Sequence, residues 1–288
     1  MRIGPVEDHR EREGGVLVYP VYSRRSGGLS VGINLFPDRK VCPFDCPYCE
    51  VFPFQTDCSF SLPLMKETLK RTLSRSREQG IEVRDICFSG SGEPTLSPHF
   101  AGALEAASRI RDAEAPAASL VTITNGAGLL KEGIFSLLEE AALGPAGLDL
   151  WLKLDAGTEG WYREIDRSAI PFESLIAGIK AFAGAAPFTL QSMLCKVKGK
   201  PPPPEEGAAW EDLVLDLAGQ GGGSFSGGPA GKNPPPGIKA VQIYGKARPG
   251  PLDPLAEALE ESFLEARAAS LRKALTELGK YIPVEVYN

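Results

Sequence analysis

Residues 29–49 read LSVGINLFPDRKVCPFDCPYC. The first eight, apolar and partly β-branched, predict a strand over 29–36. A polar turn follows, and then three cysteines fall within eight residues, 42–49. Downstream the pattern repeats. Helices are predicted over 63–79, 98–113, 129–142, 158–166, 172–184 and 207–218. Strands are predicted over 83–90, 119–126, 148–157, 188–194 and 238–244. Strands alternating with helices imply βαβ units, right-handed crossovers and a mainly parallel, curling sheet. A last amphipathic helix is expected over 255–280, carrying Leu255, Leu259, Phe263, Leu271, Leu275 and Leu278, with a short strand at 282–287.

Composition bounds the rest. The chain has 288 residues, 43% hydrophobic and 24% charged, the balance of a globular protein. No apolar run approaches the roughly 20 residues of a membrane span. The opening MRIGPVEDHRER has no apolar signal core. A cytoplasmic protein without a membrane anchor is therefore expected. Net charge −6 provides no global field for nucleic acid. Lys66, Lys70, Arg71, Arg75 and Arg77 crowd one predicted helix and read as a solvated face. Residues 197–237 hold PPPP, GQGGGSFSGGP and NPPPG, and read as a flexible loop or lid around one short helix. With no internal repeat, one domain over 1–288 is expected, its core at about 25–245.

The six cysteines are 42, 46, 49, 58, 87 and 195. A disulfide scaffold would be shorter and more evenly laced with cysteine. Cys42-x3-Cys46-x2-Cys49 places three thiolates on one loop directly after a strand. Thiolates are the usual ligands of iron–sulfur clusters, and three hold three corners of a cubane while the fourth iron stays open. Structural zinc would want four ligands, commonly two close pairs. No second pair exists, and the two histidines, His9 and His99, are isolated. Cys87 reads as a small buried hydrophobe and Cys58 as an adventitious thiol. Cys195, at the end of the fifth strand, is the one cysteine considered as a hydrogen donor.

Cys42-x3-Cys46-x2-Cys49, with Tyr48 before the last cysteine, resembles the signature of the radical S-adenosylmethionine (radical SAM) superfamily. FSGSGEPTL, TITNG, WLKLDAGTEGWYREIDR, LQSML and VQIYGKARP follow in order. Together they resemble an Fe–S oxidoreductase branch related to wyosine-forming tRNA enzymes. The resemblance implies a partial (β/α)6 TIM-like barrel with a C-terminal helix. It implies a [4Fe–4S] cluster on Cys42, Cys46 and Cys49, whose open iron chelates S-adenosylmethionine. One electron then cleaves that cofactor, and the 5′-deoxyadenosyl radical takes hydrogen from a substrate. Ser91-Gly92-Glu93 resembles the family's Gly-Gly-Glu, with Ser91 in place of the first glycine and Glu93 facing the cofactor's amino group. Thr124 and Asn125 are expected near its carboxylate or ribose. Lys153 and Asp155 share a strand face by the period of two. Asp155 is expected on the ribose hydroxyls and Lys153 on a carboxylate, with Gln191 and Tyr244 as further pocket residues.

The substrate is expected to be a small molecule, a peptide or a tRNA, and the electron donor flavodoxin- or ferredoxin-like. Two other readings are a glycyl-radical-enzyme activase and a non-catalytic Fe–S electron carrier. Tyr22, Arg24 and Arg25 fit either the barrel mouth, facing an anionic group, or the outer surface.

Overall fold

The computed structural model describes residues 15–220, 235–252 and 255–288. His9, the rest of 1–14 and the glycine-rich stretch 221–234 lie outside them. Eight strands form one sheet. They are β1 (Val18–Ser23), β2 (Gly28–Ile33), β3 (Val83–Phe88), β4 (Ser119–Thr124), β5 (Leu148–Lys153), β6 (Pro187–Leu194), β8 (Gly237–Gly245) and β10 (Val284–Tyr287), in that spatial order. All neighbours are parallel except β1, which pairs antiparallel with β2. The sheet curls into a partial barrel of the expected kind, with helices on its outer face.

The described residues hold seven α-helices: α1 (Leu62–Glu78), α2 (Phe100–Glu114), α3 (Glu132–Leu143), α4 (Glu159–Ile165), α5 (Phe172–Ala185), α6 (Pro204–Gln220) and α7 (Glu261–Glu277). Alternation along each strand sorts residues between the two faces. On β5 and just beyond it, Leu150, Leu152 and Leu154 are buried in the main core with the helices. The opposite parity carries Trp151, which joins Cys87, Val121 and Ile123 in a separate small cluster. Helix α1 shows the same logic at its own period. Met65, Leu69 and Leu73 are buried, each contributing about 2 kcal/mol. Lys66, Lys70, Arg71, Arg75 and Arg77 stay exposed as the solvated face. Ser61 caps the helix through Leu64 N at 3.4 Å.

Four features differ from the sequence expectation. An added strand, β1, precedes the expected first strand, β2, and pairs with it as a hairpin; Pro20 lies on this edge strand, where its missing N–H is tolerated. Tyr287 OH lies 3.4 Å from the carbonyl of Arg25, so the hairpin turn reaches the far edge of the sheet. The last helix starts at Glu261, not 255: Lys196–Val197 (β7) and Ala256–Glu257 (β9) pair antiparallel, which draws Leu255–Leu259 out of the helix. Leu278, expected on its buried stripe, is 50% exposed. Finally, residues 204–220 are a packed helix and not part of a loose excursion. Trp210 is buried and its indole N–H donates to Leu154 O (3.2 Å) and Ser192 Oγ (3.0 Å). Among the described residues no helix is long and apolar enough to cross a membrane.

Glu206 fastens α6 to the end of β5. Its carboxylate accepts from Gly157 N (2.5 Å), Thr158 N (3.0 Å) and Thr158 Oγ1 (2.6 Å). Glu206→Ala leaves these donors without an acceptor in a largely buried place. It is expected to lower stability by about 2 kcal/mol, read as a shift of the denaturant midpoint at constant slope.

Candidate functional site

The C-terminal ends of the parallel strands converge on a cavity of about 580 Å³. Cys42, Cys46 and Cys49 line it from the loop after β2. That loop is held by a backbone bridge. Val41 N donates to Ser91 O (3.0 Å) and Glu93 N donates to Val41 O (2.8 Å). A Cβ on Gly92 would stand 2.1 Å from Val41 O, so only glycine permits this approach. Ser91 is accommodated by Asn34, whose side-chain amide donates to Ser91 Oγ (3.2 Å) while its oxygen accepts from Ser91 N (3.1 Å).

Glu93 is 3% exposed and lines the same cavity. Its Oε1 accepts from Thr95 N (3.1 Å), Thr95 Oγ1 (2.6 Å) and Thr124 Oγ1 (2.7 Å). Its Oε2 accepts from Asn125 N alone (2.7 Å) and so keeps acceptor capacity. Burial raises its pKa above the usual carboxylate range, against the pull of these hydrogen bonds. Asn125 begins a tight turn, with Ala127 N donating to its side-chain oxygen (3.0 Å) and Gly126 at φ 83°. The same side chain's amide donates to Cys42 Sγ at 3.4 Å.

The cysteine loop has the chemistry an iron–sulfur cluster requires. Cys42 Sγ also accepts from Phe44 N (3.5 Å), a second dipole aimed at the sulfur. Burial pushes the Cys42 thiol up to about 11, and the Cys46 thiol well above its usual value, with Asp166 adding to the shift. These thiols hold their protons until a metal takes their place. Among the described residues no three His, Cys, Asp or Glu side chains converge as the ligands of a single ion do. Cubane thiolates bind separate irons and need not meet at one point, so the trio fits a cluster better than zinc.

The remaining expected residues divide into two groups. Tyr48, Ser91, Gly92, Thr124, Asn125, Lys153 and Tyr244 line the cavity. Asp155 and Gln191 do not. Asp155 Oδ1 accepts from Met193 N (2.8 Å), and Oδ2 is hydrogen-bonded by Tyr48 OH and paired with Lys153 Nζ at 3.1 Å. With a side chain 0% exposed and off the cavity lining, it holds Tyr48 and Lys153 in place. Lys153 donates to Tyr244 OH at 2.6 Å. Burial is the largest single influence and would lower its pKa, but Asp155, Tyr244 and Cys46 together outweigh it, so the pKa is raised and the ammonium stays charged. Gln191 lies below the cavity, bonded to Gln242 Oε1 (2.7 Å) and to Arg25 (3.0 Å). Cys195 is also misplaced as a hydrogen donor: it is 0% exposed in the core, off the cavity wall, and burial lifts its thiol to about 12. Cys87 is buried as expected, at the cavity floor.

Some site residues carried no local signal. Asp166 accepts from the Cys46 thiol (Sγ to Oδ1 3.8 Å) across 120 positions. Trp151 and Arg25 meet at 5.7 Å, ring centroid to guanidinium. The parity of β5 identifies Trp151 as inward-facing; nothing near Asp166 identifies its role.

Two consequences are measurable. Gly92→Ala must part the Val41 bridge and is expected to cost about 2 kcal/mol, with iron uptake per chain falling alongside the denaturation midpoint. Lys153→Met strands a buried carboxylate. A loss of about 3 kcal/mol is expected in the same unfolding measurement, whereas Lys153→Met with Asp155→Asn should recover part of it.

No protein-family profile matches the chain. An 82-residue segment, 28% of the chain, is 34% and 33% identical to the UPF0026 proteins of two Helicobacter pylori strains, covering 26% of each. Solved structures match over far more. SuiB of Streptococcus suis, bound to its precursor peptide SuiA, aligns with 92% of this chain at TM-score 0.60 and 12% identity. A radical SAM methyltransferase from Sphaerobacter thermophilus aligns with 93% at TM-score 0.61 and 16% identity. TYW1 with a lysine-pyruvate adduct aligns with 85% at TM-score 0.51 and 14% identity. The matched region spans 51% of SuiB and 68% of the methyltransferase. Aligned with these structures over most of its length, the chain has the fold of the radical SAM enzymes.

Proposed function

We propose that this chain is a radical SAM enzyme, acting as one domain over 1–288 in the reducing cytoplasm. In this reading Cys42, Cys46 and Cys49 hold three irons of a [4Fe–4S] cluster, and S-adenosylmethionine takes the fourth. When bound, the pair supplies reductive cleavage of S-adenosylmethionine and hydrogen abstraction from a substrate, with the electron coming from a flavodoxin- or ferredoxin-like donor.

One observation carries the reading. Asn125 joins two distant motifs, through its amide on Cys42 Sγ at 3.4 Å and its backbone N–H on Glu93 Oε2 at 2.7 Å. The amide draws charge from the sulfur, while the free acceptor capacity of Oε2 suits an ammonium group. Thr124 and Thr95 keep that carboxylate in a single orientation. Tyr48, on the cysteine loop, is anchored to Asp155 beyond β5, so the loop is braced at two points. A simple electron carrier would need neither Glu93 nor this bracing. A similar fold holds a peptide in one structure and a lysine-pyruvate adduct in another. A small molecule, a peptide and a tRNA base all remain within the reading.

The test is anaerobic reconstitution with iron and sulfide, then S-adenosylmethionine and dithionite, with 5′-deoxyadenosine quantified by chromatography. Wild type should form it, and Cys46→Ala should lose both the iron–sulfur absorbance and at least about 100-fold of product. Cys195→Ala should keep both. Wild type carrying a full cluster and forming no 5′-deoxyadenosine would falsify the proposal.

A further inference from the structure

The cavity does not end at the cysteine loop. It extends to the β1–β2 turn, where Arg24, Arg25 and Ser26 line it together with Trp151, Arg248 and Tyr287. This end carries three arginines against two acids, Glu50 on the wall and Asp85 buried behind Ser26 and Ser30. Arg248 is paired with Glu50 at 2.9 Å. Arg25 is held by an amide oxygen and two rings, not by a carboxylate: Gln191 Oε1 lies at 3.0 Å, and the Tyr244 and Trp151 ring centroids at 4.7 and 5.7 Å. The Arg24 guanidinium makes no hydrogen bond and no ion pair with any described residue, its backbone carbonyl alone accepting from Gly27 N (3.3 Å). Arg248 and Arg25 both act on it as like charges, with Glu50 the one opposing acid. A second observation is independent of charge. Trp151 is 6% exposed and lines the cavity, and its indole N–H has no hydrogen-bond partner among the described residues. A buried donor without an acceptor is costly to keep, so a ligand oxygen that accepted from it would be favoured.

We propose that Arg24, Arg25 and Trp151 form an oxyanion site, supported by Arg248, that binds an acidic group of the substrate, a carboxylate or a phosphate. As the substrate site of the proposed enzyme it rests on that reading. Arg25 supplies a guanidinium whose direction is set in advance by Gln191 and the two rings. Arg24 supplies a second from a more exposed position at the cavity's edge, and the partial burial of Arg25 strengthens the first. An acidic group seated there would place the rest of the substrate along the cavity toward the cysteine loop.

The test is calorimetric titration of the full-length chain with inorganic phosphate and, separately, with acetate, at constant ionic strength. It is run on cluster-reconstituted protein and on untreated protein, because none of the three residues is a thiol ligand. A failed radical reading therefore leaves this measurement interpretable. Wild type should bind one probe saturably. Arg24→Gln should weaken it at least about tenfold, and Trp151→Phe, which keeps a ring under Arg25, should weaken it as well. Lys70→Gln on exposed α1 should not. Saturation by phosphate alone assigns a phosphate-bearing substrate, and saturation by acetate a carboxylic acid. No saturable binding of either probe, or equal binding by wild type and Arg24→Gln, overturns the site. Competition between the probe and S-adenosylmethionine would assign these groups to that cofactor's own carboxylate and would equally overturn it.

Discussion

A two-rung backbone bridge holds the site together. Val41, one residue before the first cysteine, exchanges hydrogen bonds with Ser91 and Glu93 across the Gly92 position. The loop between β2 and α1 is long and carries almost no regular structure. Left to itself it would sample many conformations, at a backbone cost of about 1–2 kcal/mol per residue fixed. The bridge removes that freedom where it matters, at the first thiol. It also sets the distance between the cysteines and the carboxylate, since Glu93 is itself one of the bridging residues. Gly92 is the condition for this contact, because any side chain would occupy the space of the Val41 carbonyl.

From that bridge the order spreads through polar contacts on the inner wall. Glu93 is bonded to Thr124 and Asn125, which ties β3 to β4 at their C-terminal ends. Tyr48, Lys153, Asp155 and Tyr244 then tie the cysteine loop to β5 and β8. Cations and rings are interleaved along this wall, with Lys153 lying 4.6 Å from the Tyr48 ring centroid and 5.2 Å from that of Tyr244. Such packing lets a barrel keep charges inside without water, because each cation faces either a carboxylate or the electron-rich face of a ring. The outer face has its own polar fastening, the Glu206 carboxylate on Gly157 and Thr158. Otherwise that face is held by aliphatic packing between strands and helices.

Much of this was legible before any coordinates. The period-two alternation of LDLWLK separates Leu150 and Leu152 from Trp151 and Lys153, and the structure places them on opposite faces as expected. The helix periods of 63–79 and 172–184 match α1 and α5 to within one residue. Other elements were not legible because no local rule bears on them. The start of the last helix was lost to β9, a two-residue strand created by a partner about 60 positions away. Asp155 was correctly placed on the inner face, but its role was not. Parity says which face a carboxylate occupies and says nothing of Tyr48, 107 residues earlier, which claims one of its oxygens.

The sequence by itself determined the alternation of strands and helices, the loop that carries the three thiols, and the parity that sends Lys153 toward the interior. Those features depend on backbone periodicity and on spacing within a few residues, which the chain carries locally. Only the tertiary structure decided which polar groups are already satisfied and which are left open. It seals Asp155, Gln191 and Cys195 behind the wall, and leaves the Arg24 guanidinium without an ion pair and the buried Trp151 indole N–H without an acceptor among the described residues. The physical reason is that satisfaction of a buried donor or charge is a property of neighbours in space. Those neighbours are brought together only when eight strands, drawn from residues 18 to 287, curl around the same interior.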